Sequence, residues 1–187
     1  MKESTKASIF SALFMGAGQV YNREYYKAVF YALVEIMSLI FFIPVLKASL
    51  YGLITLGEEP MHYIDGIAHG DHSIFLMIDG LIAVLIFILI TIIYIVNILD
   101  ARTTAKRIEE GKSPMTLKEF ILHIWDKYFA QFMIALPIIA IAFFVVLPII
   151  FTVCIAFTNY SSPNHLPPKN LVDWVGFTNF KSLFTLD

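Results

Sequence analysis

Three long apolar runs, separated by polar segments, constrain this chain more than any other feature of its sequence. The runs at 74–99 and 130–157 exceed the roughly 20 residues that a helix needs to cross a bilayer, and the run at 28–46 is about that long. Hydrophobic residues make up 58% of the chain and charged residues 15%, against about 45–50% and about 25% in soluble domains. Because lipid cannot satisfy backbone polar groups, such runs fold as helices. The sequence therefore predicts an all-α integral membrane protein with three transmembrane helices.

The polar segments divide the chain into parts with different predicted environments. Apolar residues recur at three- and four-residue steps within 4–15 and 117–128, which predicts short interfacial amphipathic helices. The predicted parts are a cytoplasmic N-terminal interfacial segment at 1–27, a transmembrane hairpin at 28–99 with spans at about 28–46 and 74–99, a cytoplasmic linker at 100–129, a third transmembrane helix at 130–157, and an extracellular tail at 158–187, where the chain is expected to be truncated.

The distribution of basic residues predicts the orientation of the spans. Four Lys or Arg residues lie in 1–27 and six in 100–129, which makes ten of the 13 in the chain. The loop at 57–73 has none and carries four acidic residues. Because Lys and Arg concentrate on the cytoplasmic side of a membrane, the N-terminus and the linker are predicted to be cytoplasmic. The net charge of −2 does not favour a nucleic-acid partner.

Two carboxyl groups fall within predicted spans, and intramembrane charges suggest function by default. Glu35 lies near the cytoplasmic end of the first span and Asp79 near the outer end of the second, so they are not expected to form a dyad. Lys47 lies at a depth similar to that of Asp79. We expect Lys47 and Asp79 to pair and to stabilise the first hairpin, and a proton or ion relay is the alternative.

The prolines of the third span and the histidines of the loop at 57–73 indicate structural roles rather than a reactive site. Pro137 and Pro148 each remove a backbone donor, so the third helix is predicted to bend at them. His62, His69 and His72 lack the spacing of a metal site and are expected to lie in an exposed loop. No nucleophile motif is present. The sequence therefore predicts no catalytic, metal or cofactor site.

The third span and its tail carry a resemblance to a known family. Residues 146–150 (VLPII), 156–160 (AFTNY) and 174–180 (WVGFTNF) are similar to the start of the core of binding-protein-dependent sugar permeases, which are subunits of ABC transporters. Ala156 and Phe177 depart mildly from the Ser and Leu that are common in that family. The two additional N-terminal helices and the segment at 16–23 (GAGQVYNR) resemble the N-terminal part of the larger permease of the maltose/maltodextrin type in Gram-positive bacteria.

This resemblance implies a membrane-spanning permease subunit of an ATP-driven sugar importer, which itself is not an enzyme and holds no cofactor. The implied partners are a second permease subunit, two ATPase subunits, an extracellular sugar-binding protein and the lipid bilayer of a bacterial cell membrane. The family's cytoplasmic Glu-Ala-Ala loop is not found in these residues, and the substrate-binding residues are expected beyond residue 187. The alternative is a small membrane scaffold or assembly protein with no transport role, because the 16–23 segment also resembles short two-helix membrane families. The third span and the tail at 174–184 disfavour that alternative.

Overall fold

Three long helices dominate the computed structural model, which describes residues 1–185. Each of them is long and apolar enough to cross a membrane, and helices account for 71% of the chain. The predicted all-α class with three spans is therefore confirmed. The helices are α1 (Glu3–Leu13), α2 (Ala17–Tyr21), α3 (Tyr25–Thr55), α4 (Ser73–Glu109), α5 (Leu117–Ile155) and α6 (Thr178–Thr185). The strands are β1 (His62–Ile64) and β2 (Ile67–His69).

The long helices extend further than the apolar runs that predicted them. Helix α4 continues past the run at 74–99 and ends where Gly111 adopts a left-handed conformation, with φ of +81°. Helix α5 begins at Leu117 and continues into the third apolar run without a break. The sequence predicted a separate interfacial helix before the third span. One helix forms instead, since neither Gly nor Pro occurs between Leu117 and Pro137 to interrupt it.

Two of the long helices contain a π-helical turn shortly before a proline. Helix α3 has the turn Ser38–Phe42 before Pro44, and α5 has the turn Ala142–Val146 before Pro148. A proline ring crowds the carbonyl group four residues earlier, and in both helices that carbonyl lies within the π turn. The wider turn relieves the clash, so the helix continues through the proline. Pro137, in contrast, lies inside the α-helical part Leu117–Ile141.

The loop predicted at 57–73 contains a short β-hairpin. Strands β1 and β2 pair in antiparallel fashion, with His62 opposite His69. Asp65 and Gly66 both have positive φ, of 52° and 78°, which is typical of a type I′ turn. Asp71 accepts hydrogen bonds from the N–H groups of Glu58 and Glu59 at 2.8 and 3.1 Å, which hold the start of the loop.

The chain packs as two compact units. The first unit consists of Met1–Pro44 and Phe87–Leu136, and the second of Val45–Ile86 and the chain from Pro137 onward. The buried apolar side chains of the first unit are mostly small, as in the cluster of Ala7, Ala101 and Ala105, although Met15 is buried as well. The second unit has a cluster of larger side chains, which are Leu56, Met77 and Val172.

Candidate functional site

Buried polar side chains gather in the first unit, where residues 11–27 meet the 97–104 part of α4. We call this group of side chains the polar cluster. Its buried members are Ser11, Gln19, Asn22, Glu24, Lys27, Asn97 and Thr104, and the partly exposed Asp100 completes it. Polar groups are buried at a cost unless they find partners, so the contacts of each member decide what the cluster can do.

Two glycines of the 16–23 segment allow the backbone to approach its neighbours closely. A Cβ atom on Gly16 would lie 2.4 Å from the carbonyl oxygen of Ala28. A Cβ atom on Gly18 would lie 2.3 Å from the carbonyl oxygen of Ala7 and 2.8 Å from Cβ of Ala101. The space beside both glycines is therefore filled by the protein itself. This packing leaves no cradle for a phosphate group.

Two amides join the N-terminal segment to α4. The fully buried Gln19 donates from Nε2 to the carbonyl oxygen of Asn97 at 3.0 Å and to Oδ2 of Asp100 at 3.2 Å. The Asn97 side chain accepts from the N–H of Gly16 at 3.1 Å and donates to the carbonyl oxygen of Ser11 at 3.0 Å. The hydroxyl of Ser11 in turn donates to Oε1 of Gln19 at 3.1 Å. These hydrogen bonds fix the position of the turn between α1 and α2 on α4.

Three charged groups form the ionic part of the polar cluster. Nζ of Lys27 lies 2.8 Å from Glu24 and 2.9 Å from Asp100. The side chains of Lys27 and Glu24 are only 6% and 1% exposed. Glu24 also accepts a hydrogen bond from the hydroxyl of Thr104 at 3.1 Å. One lysine is therefore shared by two carboxylates, at the start of α3 and on α4.

Further contacts hold α1 at its two ends. Glu35 on α3 accepts a hydrogen bond from the N–H of Met15 at 2.6 Å, and the hydroxyl of Tyr94 donates to the carbonyl oxygen of Ala12 at 2.5 Å. At the other end, the N–H of Ser4 donates to Oε1 of Glu109 on α4 at 3.0 Å, and Lys6 pairs with Glu3 within α1 at 2.7 Å. The hydrogen bond from Lys6 lowers the pKa of the Glu3 carboxyl group. The carboxyl group of Glu35, predicted as an intramembrane charge, thus contacts the N-terminal segment.

The structure does not bring Lys47 and Asp79 together. Both side chains are exposed, and no ion pair within residues 1–185 joins them. Their sequence positions gave similar depths in the membrane but could not fix which face of each helix they occupy. The predicted pairing therefore has no contact to support it.

The family-like segments of the second unit contact each other. The side-chain amide of Asn179 donates to the carbonyl oxygens of Ala156 and Thr158 at 2.9 and 2.7 Å. The ring of Phe157 lies 5.3 and 5.1 Å from those of Phe177 and Phe180, between centroids. The AFTNY and WVGFTNF segments therefore pack against each other directly after the end of α5.

Neither unit has the arrangement of a reactive centre in the part of the chain that is described. Residues 1–185 contain no group of three or more His, Cys, Asp or Glu side chains that could hold a metal ion. In the polar cluster, both carboxylates contact Lys27 and accept a hydrogen bond from a neighbouring side chain. The cluster is therefore suited to holding chain segments together.

The sequence did not reveal the α4 side of the polar cluster. It indicated the 16–23 segment but not the partners Asn97, Asp100 and Thr104. These residues are three and four positions apart, a spacing that puts them on one face of a helix, and they lie where the second apolar run ends. Polar residues with that spacing at the end of a span could have indicated that this face of the helix contacts another polar segment.

The chain is similar in sequence to permease proteins of bacterial sugar transport systems. It is 37% identical over 186 residues to the maltodextrin transport system permease protein MalC of Streptococcus pneumoniae, with 99% of this chain and 40% of that protein covered. It is 33% identical over 187 residues to the maltodextrin transport system permease protein MdxF of Bacillus subtilis, with 99% and 40% covered. It is 31% identical over 182 residues to the galactooligosaccharides transport system permease protein GanP of Bacillus subtilis, with 97% and 41% covered.

Other comparisons set the limits of this likeness. The chain matches no protein-family model, and no solved structure matches it. It spans about 40% of the length of the curated relatives, and the matched part is their N-terminal part.

The three apolar helices and these relatives define the class of the chain, which is that of multi-pass membrane proteins, and the relatives are transport permeases. Within that class, the chain is homologous to the N-terminal part of the ABC transport permeases for maltodextrins and related oligosaccharides in Gram-positive bacteria. The predicted resemblance is confirmed, and the scaffold alternative is not favoured.

Proposed function

We propose that this chain supplies the first membrane helices of the permease subunit of an ATP-driven importer of maltodextrins or related oligosaccharides. The observation that carries the proposal is the likeness over 99% of the chain to permeases named for these sugars. The contacts support it, because the 16–23, 156–160 and 174–180 segments that carried the resemblance make the contacts that pack each unit.

The proposed assembly contains a second permease subunit, two ATPase subunits and an extracellular sugar-binding protein. ATP is hydrolysed on the ATPase subunits, and the permease subunits form the path for the sugar. Within this assembly, the polar cluster keeps the N-terminal segment attached to α3 and α4. The sugar contacts are proposed to lie outside residues 1–187.

The N-terminus is proposed to be cytoplasmic. The support is the excess of Lys and Arg in 1–27 and 100–129 over the loop at 57–73. In intact cells, a membrane-impermeant maleimide should label Glu59→Cys and should not label Lys2→Cys, each made in a protein without other cysteines. Labelling of Lys2→Cys alone would reverse the proposed orientation.

The transport proposal is tested on the full-length protein in its native membrane. We expect affinity purification to recover a second permease and an ATP-binding subunit. We also expect ATP hydrolysis to rise when a maltodextrin-loaded binding protein is added. Loading the binding protein with galactooligosaccharides instead distinguishes between the two kinds of sugar named for the relatives. If no ATP-binding subunit is recovered and no sugar is taken up, the scaffold hypothesis replaces the transport proposal.

A further inference from the structure

A cavity of about 430 Å³ opens in the first unit between the end of α4 and the beginning of α5. Arg107 and Lys112 approach it from the end of α4 and the segment after it, and Lys127 approaches it from α5. Asp100 is the acidic residue among those that line it. Lys27 lines it as well, so the cavity combines four cationic side chains with a single carboxylate.

The pairing of these charges leaves the cavity positive. Lys27 lies 2.9 Å from Asp100 and 2.8 Å from Glu24, so these three groups together carry one negative charge, fewer than the two positive charges of Arg107 and Lys127. Lys112 pairs with the exposed Glu110 at 2.8 Å, and this hydrogen bond lowers the pKa of the Glu110 carboxyl group. Within residues 1–185, no ion pair involves Arg107 or Lys127. Two cations thus remain available for an anion in the cavity.

The walls of the cavity are apolar on the α5 side. Phe120, Ile124 and Tyr128 lie three or four residues apart on α5 and line the cavity together. The aromatic ring of Phe120 is held in place by Tyr26, at 5.5 Å between ring centroids. A ligand with both an anionic group and a hydrocarbon part therefore fits these walls better than a small soluble anion does.

The position of the cavity along α4 matches the level of lipid headgroups. The apolar run of α4 stops directly before Asp100, and the cavity begins at that residue. Tyr128 lines the cavity and Trp125 lies on the same stretch of α5, as aromatic residues do at membrane–water interfaces. Basic pockets between membrane helices at this level bind anionic headgroups.

We infer that this cavity binds the phosphate group of an anionic phospholipid, with Arg107 and Lys127 as its charged contacts. The hydrocarbon next to the glycerol lies against Phe120 and Ile124. The lipid fills the space between the end of α4 and α5. This inference concerns the membrane partner of the first unit and does not depend on the transported sugar.

The test compares two pairs of charge removals in the full-length permease within its complex. The double variant Arg107→Gln with Lys127→Gln removes the cations of the cavity. The control, Lys106→Gln with Lys118→Gln, removes two exposed cations from the same helices that do not line the cavity. The protein is purified in detergent with phosphatidylglycerol or phosphatidylcholine, and the retained lipid is counted by native mass spectrometry.

We expect the wild-type protein to retain phosphatidylglycerol in preference to phosphatidylcholine. The double variant in the cavity should retain on the order of tenfold less phosphatidylglycerol, since each cation near an anionic lipid contributes to binding. The control should retain as much as the wild type. Equal losses in the two double variants, or equal retention of the two lipids, would overturn the inference.

Two further arms complete the test. Inorganic phosphate and glycerol phosphate are added as competitors, and loss of the bound lipid at equal concentration would assign the site to a soluble anion instead. If the double variant does not assemble, Lys127→Gln alone is used, because the Lys127 side chain is exposed and its ammonium group lies 5.2 Å from the centre of the Tyr128 ring. That single variant should still lower phosphatidylglycerol retention severalfold, and unchanged retention would contradict the inference.

Discussion

The two units bury different kinds of side chain. In the first unit, the charged side chains of Glu24 and Lys27 and several amides are buried, and hydrogen bonds join the segments. In the second unit, Leu56, Met77 and Val172 pack together, and polar contacts mainly fix loop backbone. One such contact is the hydrogen bond from the N–H of Val172 to the hydroxyl of Ser73, at 3.0 Å. The stability of the first unit therefore depends on pairing its buried charges, and that of the second unit on filling its core with large apolar side chains.

This contrast reflects what lipid leaves available to hold helices together. Apolar contact between helices gains little over contact with lipid tails, so small residues and polar contacts become important. The first unit uses both, because Gly18 and Ala101 allow close approach and the polar cluster supplies hydrogen bonds. In the second unit, loop residues after α5 cover the apolar cluster, as Val172 does. The predictions below test this contrast, and each is measured on the full-length protein in detergent.

The largest effect is expected from removing the charge at the centre of the polar cluster. Lys27→Met leaves Glu24 and Asp100 without their cation, and breaking a buried ion pair costs about 3–5 kcal/mol of unfolding free energy. Denaturant or thermal unfolding measures the loss. Lys6→Met removes an exposed ion pair and should change stability little. Equal losses for the two variants would show that the first unit does not depend on its buried charges.

The second unit should respond most strongly to lost volume. Met77→Ala leaves a cavity beside Leu56 and Val172, which should cost on the order of 3 kcal/mol of unfolding free energy. Met77→Leu nearly conserves the volume and should cost less than about 1.5 kcal/mol. The same unfolding measurement applies. If the two substitutions cost the same, the packing of this cluster is not what stabilises the second unit.

Close approach in the first unit should make Gly18 sensitive to one added methyl group. Gly18→Ala places a Cβ atom 2.3 Å from the carbonyl oxygen of Ala7, and such overpacking costs about 1–3 kcal/mol. Trypsin cleavage after Arg23 should become faster as the N-terminal segment detaches. Gly111→Ala is the strain control: no heavy atom lies within 4 Å of the added Cβ, but a φ of +81° is unfavourable for alanine, so the strain falls at the end of α4 and cleavage after Arg23 should not change. Unchanged cleavage in Gly18→Ala would contradict the proposed docking of α1 and α2.

The smallest effect is expected where a side chain only closes a helix end. Asn179→Ala removes two hydrogen bonds to the carbonyl oxygens of Ala156 and Thr158, which should cost about 1–2 kcal/mol of unfolding free energy. Asn164→Ala is the matched control, since Asn164 is exposed like Asn179 but its side chain makes no hydrogen bond to residues 1–185. A loss from the control as large as that from Asn179→Ala would remove the assigned role of the amide.

The sequence predicted the three spans because hydropathy reports directly on contact with lipid. It predicted a separate interfacial helix at 117–128, whereas α5 is continuous from Leu117, because neither Gly nor Pro interrupts it before Pro137. The polar cluster depends on contacts between residues about 80 positions apart, such as Gln19 with Asn97. A single sequence carries no direct signal for such pairs. The hypothesis on Lys47 and Asp79 relied on depth alone, which leaves the helix face undetermined.

The π turn Ala142–Val146 changes the direction in which the side chains of the third long helix point after it. One residue more than the α-helical repeat is accommodated in this turn, so every side chain after it is rotated by about 100° relative to a regular helix. The lipid-facing and protein-facing stripes of Leu147–Ile155 are therefore out of phase with those of the helix before the turn. Alignments and helical wheels of this span should treat the two sides of the turn as separate phases. Deleting one residue from the turn together with Pro148→Ala should restore a single phase.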